Sequence, residues 1–214
     1  MTGKKFLNIK RGLDVGCGTG RSIFFLQYLG VKEIWGIDIS SAMLEICKNN
    51  LEQSGYHAEL CLASAEHMPF EDESFDLITC FSSLHHFKSW KRGLEEMYRI
   101  LKKSGECYCV FERRKKEGEK ISKIINLKRI EETGLDFHQF DENKIYEAAF
   151  QIGFDEVRIK EKDFVEFIYH KLIRKFVPTN SLKIFGYLVS ELMDEFFRPI
   201  VKEYFIHLDI YLKK

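Results

Sequence analysis

Three glycines and one aspartate have the types and spacing that could do chemistry in this chain. The glycines alternate with other residues in "LDVGCGTGR", as Gly16, Gly18 and Gly20, directly after a short apolar run. A turn without Cβ atoms lets a ligand approach the backbone, and a helix that follows it offers free N–H groups. Asp38 ends the next apolar run, "EIWGID". A carboxylate there faces the glycine turn, can accept both hydroxyls of a ribose, and repels a 2′-phosphate.

The spacing of the glycines separates the candidate ligands. A dinucleotide site requires G-x-G-x-x-G, and Arg21 stands where its third glycine belongs. A nucleotide P-loop requires a lysine after its last glycine, which "GTGRS" lacks. The observed G-x-G-x-G turn therefore favours a ligand with an unmodified ribose that needs no diphosphate recognition. A nicotinamide-dependent oxidoreductase stays open as a possible function of the protein, because such enzymes share the glycine turn and the acidic residue.

Alternating strand and helix patterns up to about residue 112 must position these residues. Short apolar runs predict strands at Leu13–Val15, "EIWGID", "HAELCLA", "FDLITCF" and "ECYCVFE", and the spacing of apolar residues predicts a helix over Lys88–Lys103. Further along, Asp141 and Gly153 bracket a predicted helix, and "FDEVRIKEK" and "EYFIHLDIYLKK" predict two more strands. The pattern predicts an α/β, Rossmann-like, doubly wound sheet of seven strands, mostly parallel with one antiparallel strand, plus a C-terminal helical lid over residues 166–200.

Composition narrows the choice of partners and location. The chain has 214 residues and carries 33 Lys+Arg against 33 Asp+Glu, so its zero net charge argues against nucleic acid or an anionic membrane as a partner. The six cysteines form no C-x-x-C pair and fall mostly in apolar runs, which favours buried thiols in a reducing cytoplasm over metal ligands. We expect no metal site, no signal peptide and no membrane span.

Four motifs in order resemble class I S-adenosylmethionine-dependent methyltransferases, and most closely their small-molecule, quinone-biosynthesis-like (type 11) subgroup. They are "LDVGCGTGR", "IWGIDIS", "LASAEHMPFEDESFDLITCFSSLHHF" and "MYRILKKSGECYCVFE". The resemblance covers about residues 10–112 and implies a cofactor, S-adenosyl-L-methionine, and methyl transfer to a small molecule. It implies one methyltransferase domain over 1–214, with a cofactor-binding half over 1–112.

The resemblance also assigns residues to parts of the cofactor. The turn residues and Asp38 take its methionine and ribose parts, and Asp14, at the end of the first strand, lies near that turn. The full set that it implies for cofactor binding is Asp14, Gly16, Cys17, Gly18, Gly20, Asp38, Ile39, Met43, Ser64, Ala65 and Phe81. Ile39, Met43, Ser64 and Ala65 belong beside the adenine, and Phe81 touches the methionine end.

The sequence specifies the catalytic residues and the methyl acceptor less closely than the cofactor-binding residues. His85 and His86 follow the fourth strand and are candidate general bases, but methyl transfer needs little more than an aligned nucleophile and excluded solvent. A non-catalytic protein that binds S-adenosylmethionine is therefore an alternative. The basic stretch Arg113–Lys116 keeps tRNA open as an alternative acceptor, although the zero net charge argues against it.

Overall fold

A parallel sheet forms the centre of the described part of the protein. The structure is a computed structural model, and it describes residues 9–114, 141–163 and 205–214. In these ranges seven strands form one sheet in the order β3-β2-β1-β4-β5-β7-β6. The first five are β1 (Arg11–Val15), β2 (Glu33–Asp38), β3 (Glu59–Leu62), β4 (Phe75–Phe81) and β5 (Leu101–Arg114), and their pairings are parallel.

The central strands β1 and β4 are almost continuously apolar because both of their faces are covered. Leu13 and Val15 of β1 are fully buried, as are Ile78 and Cys80 of β4. This is the pattern of strands inside a doubly wound sheet, whereas the edge strand β3 has no buried residue. The carboxyl ends of β1, β2 and β4 lie side by side, since Val15 pairs with Ile37 and neighbouring residues of β1 pair with β4.

The C-terminal strand runs against the others. Strand β7 (Phe205–Lys213) lies between β5 and β6 (Glu156–Asp163). The N–H of Ser104, near the start of β5, donates to the carbonyl of Lys214, after the end of β7, and the N–H of Asp155 donates to Lys213. These bonds make β7 antiparallel to its neighbours. The predicted mostly parallel seven-stranded sheet with one reversed strand is confirmed.

Helices connect the strands as expected, with one correction. Helices α1 (Arg21–Tyr28), α2 (Ser41–Gln53), α3 (Trp90–Ile100) and α4 (Glu142–Ile152) lie in the described ranges. Asp141 caps α4 by accepting the N–H of Asn143, and Gly153 ends it in the left-handed conformation. The predicted helix over Lys88–Lys103 was too long, because α3 ends at Ile100 and Leu101 already pairs with Phe75 in the sheet.

Two carboxylates hold the amino-terminal edge of the sheet together. Asp76 Oδ2 accepts the N–H groups of Lys10 and Arg11, and its Oδ1 accepts Lys102 Nζ at 2.8 Å. Burial raises the pKa of Asp76, but Lys102 and the two N–H groups outweigh it and lower that pKa. Glu96 of α3 accepts the Met68 N–H and two nitrogens of Arg99 at 2.9 Å, and Arg99 keeps the pKa of Glu96 low. Asp76 therefore joins the starts of β1, β4 and β5, and Glu96 joins α3 to the segment before β4.

The chain divides into two compact units. The first contains Met1–Phe111, Leu135–Ile159 and Asp209–Lys214, and the second contains Glu112–Gly134 and Lys160–Leu208. The predicted lid over 166–200 lies outside the described residues, and the predicted basic loop at Arg113–Lys116 does so in part, since β5 extends to Arg114. Among the described residues, no helix has both the length and the apolar content needed to cross a membrane.

Candidate cofactor site

The glycine turn joins β1 to α1 and is fixed by backbone hydrogen bonds. The Cys17 N–H donates to Ile37 of β2 at 2.9 Å, and the Gly20 N–H donates back to the Cys17 carbonyl at 2.8 Å. Gly20 is the N-cap of α1, and no side chain in the described ranges caps that helix. The first N–H groups of α1 are therefore available to an anionic or polar group of a ligand.

The three glycines of the turn serve different purposes. All have left-handed φ angles, 70° at Gly16, 50° at Gly18 and 91° at Gly20. A Cβ at Gly16 would lie 2.5 Å from the Cβ of Ser83, and one at Gly20 would lie 2.8 Å from Cys47 Sγ. A Cβ at Gly18 would meet no described atom within 4 Å. Packing therefore requires glycine at two positions, whereas at Gly18 the backbone faces open space that a ligand can enter.

Asp38 lies directly across from the glycine turn. Its Oδ2 accepts the Gly18 N–H at 2.8 Å, and its Oδ1 accepts the Ser40 N–H at 2.9 Å. The side chain is half-buried. Because each carboxylate oxygen accepts about two hydrogen bonds, both oxygens keep acceptor capacity for further donors such as vicinal hydroxyls. The predicted pairing of this carboxylate with the turn is present as a direct contact.

Asp14 lies fully buried beneath the turn, at the end of β1. Its Oδ1 accepts the hydroxyl of Thr79, its neighbour on β4, at 3.0 Å. Its Oδ2 makes no well-aligned hydrogen bond to any described residue. Burial raises the pKa of Asp14 to about 7 and the nearby Asp38 adds to the rise, while Thr79, Ser22 and Arg21 act in the opposite direction. A buried carboxylate with one oxygen that lacks a well-aligned hydrogen bond fits a cationic ligand at this point.

Exposed apolar side chains surround the free side of Asp38. Ile39 is 74% exposed, Met43 is 41% exposed, and Leu62, which pairs with Asp38 across the sheet, is 60% exposed. Apolar groups clustered at this edge suit a flat, apolar ring. Ile39 and Met43 were predicted from the sequence, but Leu62 was not, although it lies two residues after Leu60 and on the same face of β3.

Ser64 and Ala65 follow β3 at the same end of the sheet. The Ala63 N–H donates to the Asp38 carbonyl at 3.1 Å, which ties this segment to the end of β2. The Ser64 hydroxyl accepts the Glu66 N–H at 3.2 Å, and the Ala65 side chain is buried. Both residues therefore lie near the end of β2 that carries Asp38, and the Ser64 hydroxyl is directed toward its own turn.

Cys17 is part of the turn, but its side chain points away from the open side. It is buried in a core cluster that includes Ile23, and Cys47 of α2 lies against it. The Cys47 thiol and burial raise the pKa of Cys17, and the Cys17 thiol lowers the pKa of Cys47. Any contact of Cys17 with a ligand is therefore made by its backbone.

The segment after β4 completes the site. Phe81 ends β4, half-buried, with its ring 5.8 Å from that of Phe25 on α1. His85 and His86 form a single 3-10 turn, with His85 buried, His86 half-buried and their rings 4.0 Å apart. The Ser83 hydroxyl donates to the Val15 carbonyl at 2.8 Å and binds this segment to the glycine turn.

Three polar contacts of the site were not predicted from the sequence. Thr79 and Ser83 join β4 to β1, and Asn50 Nδ2 of α2 donates to the Thr19 carbonyl at 2.9 Å, which holds the glycine turn from its other side. Thr79 alone left a signal, because it is the polar residue within the apolar run "LITCF". In the described ranges no group of three or more His, Cys, Asp or Glu side chains could hold a metal ion.

Similar proteins have been classified as methyltransferases. Residues 13–109 match the family model described as "Methyltransferase domain". The uncharacterized methyltransferase YcgJ of Bacillus subtilis (strain 168) is 35% identical over 97 residues, 44% of this chain and 38% of that protein. A demethylmenaquinone methyltransferase of Listeria welshimeri is 33% identical over 112 residues, 50% of this chain and 48% of that protein. The chain thus matches less than half the length of these curated relatives.

Solved structures with the same fold extend the comparison. The crystal structure of YcgJ from Bacillus subtilis has a TM-score of 0.65 at 19% identity, covering 96% of this chain and 92% of that one. A phosphoethanolamine N-methyltransferase 2 of Haemonchus contortus, in complex with phosphomonomethylethanolamine and S-adenosylhomocysteine, has a TM-score of 0.70 at 15% identity, covering 97% and 49%. These likenesses establish the Rossmann-like methyltransferase fold. Residues 13–109 are therefore similar to known methyltransferases, and the resemblance to class I S-adenosylmethionine-dependent methyltransferases that the motifs predict is confirmed.

Proposed function

We propose that this protein transfers a methyl group from S-adenosylmethionine to a small-molecule acceptor. The observation that carries the proposal is the contact of Asp38 with the Gly18 N–H at 2.8 Å, at the carboxyl ends of β1 and β2. That contact sets a ribose acceptor beside a turn whose open face at Gly18 admits a ligand. The match of residues 13–109 to the methyltransferase domain family supports the same activity.

Different residues around the turn bind different parts of S-adenosylmethionine. Asp38 accepts the two ribose hydroxyls with the acceptor capacity that Gly18 and Ser40 leave unused. The apolar edge, formed by Ile39, Met43 and Leu62 with Ser64 and Ala65 beside it, covers the adenine. The uncapped N-terminus of α1 favours the carboxylate of the methionine part.

Positioning is the main contribution of the protein to the reaction. The bound cofactor supplies a methyl group activated by a sulfonium. Phe81 and the glycine turn hold the methionine end and exclude water, so that an acceptor atom can be aligned with the methyl group. No proton relay is required of His85 or His86. Replacing each of them by Gln should leave methyl transfer within about tenfold of wild type, whereas a general base contributes about 100-fold or more.

A small acceptor is favoured over a polymer. The chain has no excess of positive charge with which to bind a nucleic acid. The names of similar proteins, demethylmenaquinone methyltransferase and phosphoethanolamine N-methyltransferase, refer to small molecules. We further propose that the predicted lid over 166–200 closes the acceptor pocket within a single functional domain. We also propose that the protein works in the cytoplasm, where its six free cysteines stay reduced.

Turnover with a labelled methyl donor tests the proposal. The protein is incubated with S-adenosylmethionine labelled in the methyl group and a pool of cellular metabolites, and labelled small molecules are expected. Incorporation into RNA instead would contradict the choice of acceptor.

Replacing Arg113, Arg114, Lys115 and Lys116 by Ala should change turnover only a few-fold and add no salt dependence, because an uncharged or small acceptor does not release counterions. Binding of the donor without turnover across broad pools would favour a non-catalytic protein.

A further inference from the structure

Asp14 is the fully buried carboxyl group of the described site, and its hydrogen bonding to described residues is incomplete. It is fully buried, Thr79 donates to its Oδ1, and no described residue makes a well-aligned hydrogen bond to its Oδ2. A buried carboxylate without a complete set of donors or a countercharge is costly, so such a group tends to hold a proton. Its position beneath the open glycine turn means that the charge of a ligand in the turn acts on it directly.

The groups around Asp14 leave its protonated and charged forms close in free energy at neutral pH. Arg21 at the start of α1 favours its charged form, and Asp38 at the end of β2 disfavours it. The thiols of Cys17, Cys47 and Cys80 also interact with it electrostatically. The net result is a pKa of about 7, raised mainly by burial. A modest added charge is therefore enough to change the protonation state of Asp14 at neutral pH.

We propose that Asp14 couples ligand charge to proton binding: it holds a proton when the site is empty and releases it to solvent when S-adenosylmethionine binds. This inference rests on the proposed function. S-adenosylmethionine carries a sulfonium, an ammonium and one carboxylate, and is therefore a net cation, whereas S-adenosylhomocysteine has lost the sulfonium charge and is neutral overall. One proton leaves when the cation binds, and one returns after the methyl group has gone.

The coupling makes the affinity for S-adenosylmethionine depend on pH more strongly than the affinity for S-adenosylhomocysteine. A rise in pH removes the proton from Asp14 in advance and strengthens the binding of the cation, while the neutral product gains little. If ligand binding lowers the pKa of Asp14 by one to two units, the dissociation constant for S-adenosylmethionine should fall about 4- to 8-fold between pH 6 and pH 7.5. The constant for S-adenosylhomocysteine should change less than about twofold over the same range.

Titration calorimetry in two buffers of different ionisation enthalpy counts the protons. At pH 6.5 we expect release of about half a proton or more per S-adenosylmethionine bound, and much less for S-adenosylhomocysteine. The ammonium of the ligand stays protonated at this pH, since α-amino groups titrate near 8. Histidine side chains in general also titrate near neutral pH, so the source of the proton is assigned with variants.

Asp14→Asn should abolish both the proton release and the pH dependence, and the matched control Asp72→Asn, an exposed carboxylate paired with Arg99, should keep them. Thr79→Val removes the donor to Oδ1 and should move the release to higher pH; it decides the matter if Asp14→Asn does not fold. Binding of S-adenosylmethionine without proton release, release that persists in Asp14→Asn, or no shift in Thr79→Val would overturn the inference alone. A protein that binds neither ligand at any pH would overturn it together with the proposed function.

Discussion

Replacing Asp38 by Ala should weaken cofactor binding strongly while the fold persists. The carboxylate is held by the N–H groups of Gly18 and Ser40 and lies half-buried, so its remaining acceptor sites are already oriented for ligand hydroxyls. Hydrogen bonds to a charged group contribute about 1.5–3 kcal/mol. A loss of that size corresponds to a dissociation constant about 10- to 100-fold higher.

Two other variants separate the ribose contact from the anchoring of the turn. Asp38→Asn keeps one oxygen but presents an NH₂ group to either the Gly18 or the Ser40 N–H, where two donors then face each other. It should lose affinity by an intermediate amount. Asp72→Ala removes an exposed carboxylate from the opposite end of the sheet and should leave affinity unchanged.

Calorimetric titration with S-adenosylhomocysteine gives the dissociation constants of wild type and the three variants, and circular dichroism confirms that each variant is folded. The assay uses the product so that no turnover disturbs the measurement. An Asp38→Ala constant within about threefold of wild type would show that Asp38 does not bind the ribose hydroxyls, because a carboxylate that binds both of them cannot be removed at so little cost.

Three further predictions concern the turn, the buried acid and the far edge of the sheet. Gly18→Val fills the open face and strains a φ of 50°, so it should abolish binding in calorimetry while circular dichroism still shows a folded protein. The folded protein holds the Asp14 proton more tightly than the unfolded chain does. As pH rises from about 4 to about 7, the free energy of unfolding of wild type should therefore fall relative to that of Asp14→Asn, by at most about 4 kcal/mol in urea unfolding. Parallel pH profiles of the two proteins would contradict this. Glu96→Ala leaves Arg99 and the Met68 N–H without their carboxylate and should cost about 3 kcal/mol in urea unfolding without changing cofactor affinity; a selective loss of affinity would argue against its structural role.

Much of the fold was predictable because its signals are local. The run "FDLITCF" between turn residues predicted β4 with the bounds Phe75–Phe81 that the structure has. Asp141 and Gly153 bracket α4 as predicted, since an N-cap and a left-handed C-cap are set by neighbouring residues. The end of α3 was mispredicted for the opposite reason. Leu101 continues the helical spacing of apolar residues, but its pairing with Phe75 draws it into the sheet.

The candidate site was predicted as a set of residue types and not as a set of contacts. The glycine spacing and Asp38 were visible in the sequence, and the structure joins them with one hydrogen bond. The contacts of Thr79 with Asp14 and of Ser83 with Val15 connect residues more than 60 positions apart. They depend on the register of β1 against β4, which local patterns do not specify. For the same reason the sequence alone did not show that packing against Ser83 by itself requires glycine at Gly16.

The choice between S-adenosylmethionine and NAD as the bound ligand shows whether this is a methyl-donor site or a dinucleotide site. Both ligands contain an adenosine with an unmodified ribose, so Asp38 and the apolar edge alone cannot tell them apart, and the G-x-G-x-G turn must do so. Calorimetric titration of the wild-type protein should show one saturable site for S-adenosylmethionine and its demethylated product, and none for NAD. Tight binding of NAD with no binding of S-adenosylmethionine would contradict the account.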